Sequence, residues 1–144
     1  MRRLGRLVSM PAAERRVLAE AVLLLGVAAA GLKVLGLKRT RAILARWVPG
    51  GAASSPLDAA SVARLVKAAA RHGPVRAKCL SAAVTLESLL RRHGMEGELR
   101  LGVRKHRGRF EAHAWVEHRA VALMESPEVH SRYAAFAESL APRA

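Results

Sequence analysis

Residues 78–94 read KCLSAAVTLESLLRRHG, and the neighbouring segments are organised around this one. Its apolar residues recur at the three- and four-residue spacing of an amphipathic helix. Pro74 fixes the entry of the chain just before it, and Gly94 is a natural left-handed stop after it. The pattern therefore predicts a helix with Cys79, the only cysteine in the chain, near its N-terminus.

The next segment, GELRLGVRKHRGRFEAHAWVE at residues 97–117, changes to the two-residue apolar period of β-strands. It predicts a hairpin with its turn at residues 105–108, and VALME at residues 121–125 predicts a third antiparallel strand. Side chains alternate along the second strand, so that one face carries Glu111, His113, Trp115 and Glu117, and the other carries Phe110, Ala112, Ala114 and Val116.

The loop after the second strand determines which residue lies opposite His113. If residues 118–120 form a three-residue loop, His113 lies directly across from Glu125 on the same sheet face, with Cβ atoms ~5 Å apart. An acid at that position would accept a hydrogen bond from the imidazole N–H and fix its tautomer. A loop of two or four residues changes the parity and brings Ser126 opposite instead. The pairing therefore depends on an odd loop length.

Cys79, His113 and Glu125 follow one another in the order of a thiol nucleophile, its base and the acid that orients the base. The partial positive charge of a helix N-terminus favours a thiolate in the first turn. Lys78 adds positive charge beside it, and a backbone N–H at the same helix start is placed to hold an oxyanion. These residues predict a cysteine peptidase site, with Trp115 and Lys78 as candidate substrate contacts.

Other interpretations of the same residues stay open from the sequence. A lone cysteine on an Ala- and Leu-rich helix can be a small buried hydrophobe, His113 a satisfied histidine and Glu125 a surface charge. Glu111 and Glu117 share the face of His113 and compete for the orienting role, although we expect both to be solvated. One cysteine without clustered histidines or aspartates argues against a zinc site, so we expect no metal and no cofactor.

The N-terminal part of the chain is predicted to be apolar and helical. Residues 1–10 are basic and expected to fray, and residues 12–35 have a strongly apolar helical pattern. The uncharged run at residues 21–32 is shorter than the about 20 residues of a membrane-spanning helix. Glu20 interrupts the pattern of a signal peptide. A buried or interfacial helix is therefore favoured.

Three further helices complete the predicted elements. Residues 38–48 form a short amphipathic helix with Trp47 on its apolar stripe. SPLD at residues 55–58 starts the next helix, with Ser55 as its cap. A final helix is predicted for residues 126–140. The order of elements predicts an α+β fold, in which N-terminal helices and a small antiparallel sheet form a papain- or transglutaminase-like core.

Length and composition limit the organisation and the partners. The 144 residues predict a single compact domain, in which apolar helices of residues 1–50 pack on a core of residues 51–144. The single cysteine excludes an internal disulfide and fits a reducing, cytoplasmic location. The net charge of +14 is dispersed along the chain, which is typical of a solvated surface. We therefore expect no nucleic-acid partner.

The quoted segments also carry a resemblance to a known family. KCLSAAVTLESLLRRHG, LRLGVRK and FEAHAWVE, followed by a short strand that ends in an acid, resemble the leader peptidases of lasso-peptide biosynthesis, which are transglutaminase-like cysteine peptidases. The resemblance covers residues 74–129. It aligns the nucleophile with Cys79, the base with His113 and the acid with Glu125, where the family usually has Asp. The family's Asp-Gly turn is replaced by residues 118–120.

The resemblance implies an enzyme that cuts the leader from a ribosomally made precursor peptide and frees the α-amine of the core. A separate cyclase then joins that amine to an acidic side chain. The chain is too short to include the winged-helix leader-binding domain of some relatives, which implies a separate leader-recognition protein as a further partner. The apolar N-terminal helix is a candidate surface for docking a partner or for peripheral contact with a membrane.

Two alternatives differ in their chemistry. In the first, the protein is a non-catalytic basic helical module that binds nucleic acid or a membrane surface, and Cys79 and His113 are idle. In the second, the same site transfers an acyl group to an amine instead of to water. Both enzymatic reactions use one thioester intermediate, so the sequence does not separate them.

Overall fold

The structure, a computed structural model, describes residues 2–48, 50–51, 57–74, 78–124 and 133–135. This part of the chain contains five helices followed by four strands. The helices are α1 (Arg2–Ser9), α2 (Ala12–Val34), α3 (Leu37–Trp47), α4 (Ala59–His72) and α5 (Cys79–Arg92). The strands are β1 (Glu98–His106), β2 (Arg109–His118), β3 (Val121–Leu123) and β4 (Ala134–Ala135). The sheet order is β3-β2-β1-β4, with every neighbouring pair antiparallel. The predicted α+β class is confirmed.

Helix α5 lies at the centre of the fold. Every residue from 81 to 90 is buried, because α2 and α4 pack against one side of the helix and the sheet against the other. Glu87 is the one carboxylate in this buried run, and Arg41 of α3 binds it with two nitrogens, one of them at 3.0 Å. A buried charge needs such a partner. The ion pair therefore ties α3 to the central helix.

The core itself is aliphatic. Leu and Val side chains of α2, α4 and α5 meet residues from one face of the sheet, and the fully buried examples are Leu25, Val62, Val66, Val84, Leu86, Leu89, Leu90, Leu99 and Val116. This core joins segments on both sides of residue 50. The division of the chain at that residue stays a prediction.

The structure corrects predictions for three helices: the order of residues 2–9, the exposure of Trp47 and the N-cap of α4. Residues 2–9, expected to fray, form α1. Trp47, placed on the apolar stripe of α3, is 78% exposed, since the α3 residues that pack inward are Thr40 and Leu44. The N-cap of α4 is Asp58, whose carboxylate accepts a hydrogen bond from the Ser61 N–H at 2.8 Å. Hydrogen bonding with the Ser61 side chain, together with this backbone N–H, lowers the pKa of Asp58. Ser55 lies outside the described residues.

The C-terminal prediction is wrong where it can be compared. Residues 134–135 were expected in a helix but form β4, which pairs with Gly102 and Val103 at the edge of β1. An open strand edge presents unpaired N–H and C=O groups, and a second strand satisfies them. This long-range pairing outweighs the local helix preference of alanine. The other residues of the predicted helix lie outside the described residues, except Tyr133, which is in a bend.

The turn between β2 and β3 also differs from the prediction. His118 pairs with Val121, so the connection is the two residues Arg119 and Ala120 and not the three-residue loop. Their φ angles are +49° and +64°, the left-handed values that a tight hairpin turn of the primed type requires. Asn-Gly is the usual signal for such a turn, and this sequence lacks it.

Candidate functional site

Cys79 is the first residue of α5 and is exposed. Lys78 precedes it as the N-cap in an extended conformation, and its carbonyl accepts hydrogen bonds from the Ala82 N–H and the Ser81 hydroxyl. Lys78 has no side-chain oxygen to cap the first-turn N–H groups. Cys79 therefore lies at a positively polarised helix start. The N-cap side chain makes no hydrogen bond to the first-turn N–H groups.

Exposure of Cys79 decides between two of the interpretations above. A cysteine that only filled space in the core would be buried among aliphatic side chains, as residues 81–90 of α5 are. Instead, the buried run of the helix begins two residues later, at Ser81. The interpretation of Cys79 as a small core residue is wrong. The thiol is placed where a solvent-borne substrate can reach it.

A cleft of about 440 Å³ adjoins this helix start, between α2 and α5. Its lining consists of Ala29, Leu32, Lys33, Lys78, Leu80 and Ser81. Apolar side chains form most of the wall, and both lysines are exposed. Lys78, predicted as a substrate contact, is thus placed at a cavity beside the thiol. The contact itself stays a prediction.

His113, on strand β2, belongs to a cluster of three aromatic rings. Its imidazole is 6.0 Å from the Trp115 ring and 5.0 Å from the Tyr133 ring, centroid to centroid. Trp115 and Tyr133 are 6.3 Å apart. Aromatic pairs at these separations attract one another beyond their burial. The cluster therefore holds the His113 ring from two sides.

Gly102 makes room for that cluster. It lies opposite His113 on β1, and a Cβ there would come within 2.8 Å of the Trp115 ring and 3.0 Å of the Tyr133 Cβ. Real Cβ atoms essentially never approach that closely, so only glycine lets the indole cross the strand. The sequence predicted neither this role nor that of Tyr133, because the first depends on the Trp115 indole of β2 lying over Gly102 and the second on β4 lying beside β1.

Two ion pairs border the ring cluster. Glu117 accepts a hydrogen bond from the indole N–H of Trp115 at 3.1 Å, and its other oxygen is 3.4 Å from Nε of Arg100, an ion pair without hydrogen-bond geometry. Arg104 binds Glu111 at 2.8 Å and lies 5.0 Å over the Tyr133 ring. The hydrogen bond to Glu111 raises the pKa of Arg104.

One of the acids near His113, Glu117, is buried. Glu117 was expected to be solvated, but it is 7% exposed and bonded to Trp115. Trp115 is 1% exposed, so its indole supports the cluster from inside. Its predicted contact with substrate stays a prediction.

Glu125 lies outside the described residues. The pairing that placed it opposite His113 required a three-residue loop, and the two-residue turn breaks that parity. Strand β3 also ends at Leu123, and Met124 has a φ of +62°. The register prediction is therefore wrong, while the role of Glu125 as the orienting acid stays a prediction.

A larger cleft, of about 560 Å³, opens at the far end of α5 beside Gly94 and the β2–β3 turn. Its acidic lining includes Asp58, Glu96 and Glu98. The Asp58 carboxylate is already engaged as a helix cap. Helix α5 is 14 residues long, which separates this cleft from Cys79 by roughly 20 Å. Of the two clefts, the smaller one adjoins the helix start that carries Cys79, since Lys78, Leu80 and Ser81 line it.

An α+β fold with an exposed thiol at the head of its central helix and a histidine on the adjoining sheet is the arrangement expected of a transglutaminase-like domain. Comparison with protein families agrees: residues 22–138 match the transglutaminase-like superfamily, so the chain belongs to that superfamily. The match runs from α2 past β4 and includes Cys79, His113 and Glu125. This superfamily commonly includes cysteine peptidases. No match was found among curated proteins or among solved structures.

Proposed function

We propose that this protein is a cysteine peptidase that removes the leader from a ribosomally made lasso-peptide precursor. The observation that carries the proposal is the exposed, sole thiol at the head of α5 in a chain of the transglutaminase-like superfamily. The choice of substrate rests on the resemblance of the segments around Cys79 and His113. A separate leader-recognition protein and a cyclase are the proposed partners, and the cytoplasm is the proposed location.

The proposed reaction has two steps. The Cys79 thiolate attacks the scissile carbonyl while first-turn N–H groups of α5 hold the oxyanion. His113 accepts the thiol proton and gives it to the leaving amine, which frees the core peptide. A water molecule, deprotonated by His113, then hydrolyses the thioester and restores the thiol. Glu125 orients the imidazole, an assignment that rests on the resemblance alone.

Cleavage of a precursor tests the proposal directly. The chain is incubated with precursor and recognition protein, and products are identified by mass spectrometry. We expect Cys79→Ala to abolish leader removal and His106→Ala, at the exposed end of β1, to leave it intact. Cleavage that survives the Cys79 change would falsify the peptidase. Adding a primary amine separates hydrolysis from acyl transfer, because an amide product appears only in the second case.

Thiol reactivity tests the pair of residues without any substrate. Cys79 is the only cysteine, so the gain of one alkyl group reports on it alone. We expect rapid alkylation by iodoacetamide at neutral pH, and slower alkylation in His113→Ala than in the His106→Ala control. Equal rates in the two variants mean that His113 does not act on the thiol. Sluggish alkylation of the wild type, together with steeply salt-dependent DNA retention, supports the basic-module alternative.

A further inference from the structure

The outward side of α2 is apolar and exposed for most of its length. The five residues that follow one another along this side are Ala19, Leu23, Val27, Ala30 and Val34, at the spacing of a single helix face. All five are exposed, with Leu23 at 71% and Val34 at 78%. We call this set the outer stripe. None of its five residues lines the cleft beside Cys79, and the inference does not depend on the proposed peptidase reaction.

The opposite side of α2 is fully engaged in the core. Val17, Ala21, Leu25 and Ala28 are buried against α4 and α5. Helix α2 has 23 residues and is long and apolar enough to cross a membrane by length and composition. Crossing would pull these four side chains out of the aliphatic core. A helix with one face in the core and one apolar face outside is suited to lie along an interface, not to span it.

Charges around the outer stripe are sorted by sign. Both acids of α2 bind arginines of the neighbouring core helices, Glu14 to Arg64 of α4 and Glu20 to Arg92 of α5. The basic residues of α2 and of the adjoining α3 are exposed instead; they are Arg15, Arg16, Lys33, Lys38, Arg39 and Arg46. The exposed charge at both ends of the outer stripe is therefore positive.

We propose that the outer stripe docks this protein on an anionic lipid bilayer surface. Apolar side chains flanked by cations match a surface that offers acyl chains below negatively charged headgroups. Trp47, which is 78% exposed on the adjoining α3, is of the side-chain type that prefers the headgroup region. A protein partner would favour aromatic anchors and hydrogen-bonding groups on the stripe, which consists of Ala, Leu and Val.

Vesicle co-sedimentation tests this docking. The full chain is mixed at low salt with vesicles of phosphatidylcholine alone, or of phosphatidylcholine with phosphatidylglycerol. We expect binding to the mixed vesicles that weakens with salt, and little binding to the neutral ones. The double variant Leu23→Gln/Val27→Gln should bind the mixed vesicles on the order of tenfold to a hundredfold more weakly. Arg16→Gln should cost about fivefold.

A control variant and folding measurements accompany the vesicle experiment. Val121→Gln changes an exposed valine on β3, 62% accessible, and should leave vesicle binding unchanged. Circular dichroism and thermal unfolding establish that each variant is folded. Wild-type protein that stays in the supernatant with mixed vesicles overturns the proposal, and so does equal binding by the double variant. A wild-type dimer that the double variant converts to a monomer assigns the stripe to a second copy instead.

Discussion

The two faces of strand β2 differ in what covers them, although their residues alternate along the same strand. Ala114 and Val116 join the aliphatic core formed with α5. His113 and Trp115 point to the other face and meet Tyr133. The first face is buried by the central helix α5, whereas the rings of the second face pack against Tyr133, which directly precedes β4. The difference teaches that one strand supplies stability on one side and positioned polar groups on the other.

The largest expected effect is on chemistry at the aromatic face. His113→Ala should lower the rate of leader cleavage by roughly a hundredfold to ten-thousandfold, because it removes the proposed proton acceptor. Its effect on stability should be much smaller than that of a core substitution. Steady-state cleavage and thermal unfolding, measured on one preparation, separate the two. An unfolding transition lost together with activity would remove the distinction between the faces.

A core substitution on the aliphatic face should show the reverse pattern. Leu99 is fully buried on β1, opposite Val116. Leu99→Ala should reduce the free energy of unfolding by about 2–5 kcal/mol through the cavity that it leaves. Urea denaturation measures this loss, with the exposed Val121→Ala as the matched control. A loss below that of the control contradicts the assignment of Leu99 to the core.

The two tryptophans provide a comparison within one residue type. Trp115→Phe removes the N–H that binds Glu117 and leaves a buried carboxylate oxygen without that donor. We expect a loss of roughly 1–3 kcal/mol in the free energy of unfolding. Trp47→Phe, at a side chain that is 78% exposed, should change it little. Equal effects of the two substitutions would show that neither the indole N–H of Trp115 nor its extra volume contributes to stability.

The smallest effect is expected at the turn that sets the register. Ala120 has a φ of +64°, which is unfavourable for a residue with a Cβ. Ala120→Gly relieves this and should raise the free energy of unfolding by about 0.5 kcal/mol, the flexibility of glycine offsetting part of the gain. Ala122→Gly, within β3, should lower it instead. A destabilised Ala120→Gly variant contradicts the two-residue turn.

Much of the fold follows from local patterns. The helical spacing of residues 78–94 and the alternation after Gly97 predicted α5, β1 and β2, and the structure agrees with them closely. The turn after β2 was not predictable, since Arg119 and Ala120 adopt left-handed conformations without the Asn or Gly that signals them. One residue in that loop decides which side chain faces His113.

The candidate site also has one part that the sequence predicted and one part that it did not. The position of Cys79 at a helix head follows from Pro74 and the apolar spacing behind it, and its exposure agrees with a reactive thiol. The surroundings of His113 were missed, because Tyr133 reaches it only through the pairing of β4 with the edge of β1. The local preference of that C-terminal segment points to a helix instead.

The sequence by itself therefore determined the order of helices and strands, the place of the thiol and the apolar character of α2, because each depends on a spacing within about four residues along the chain. Only the tertiary structure decided the register of β3, the burial of Trp115 over Gly102 and the exposure of one side of α2. These depend on contacts between segments far apart in the sequence, where packing and edge pairing outweigh local preference.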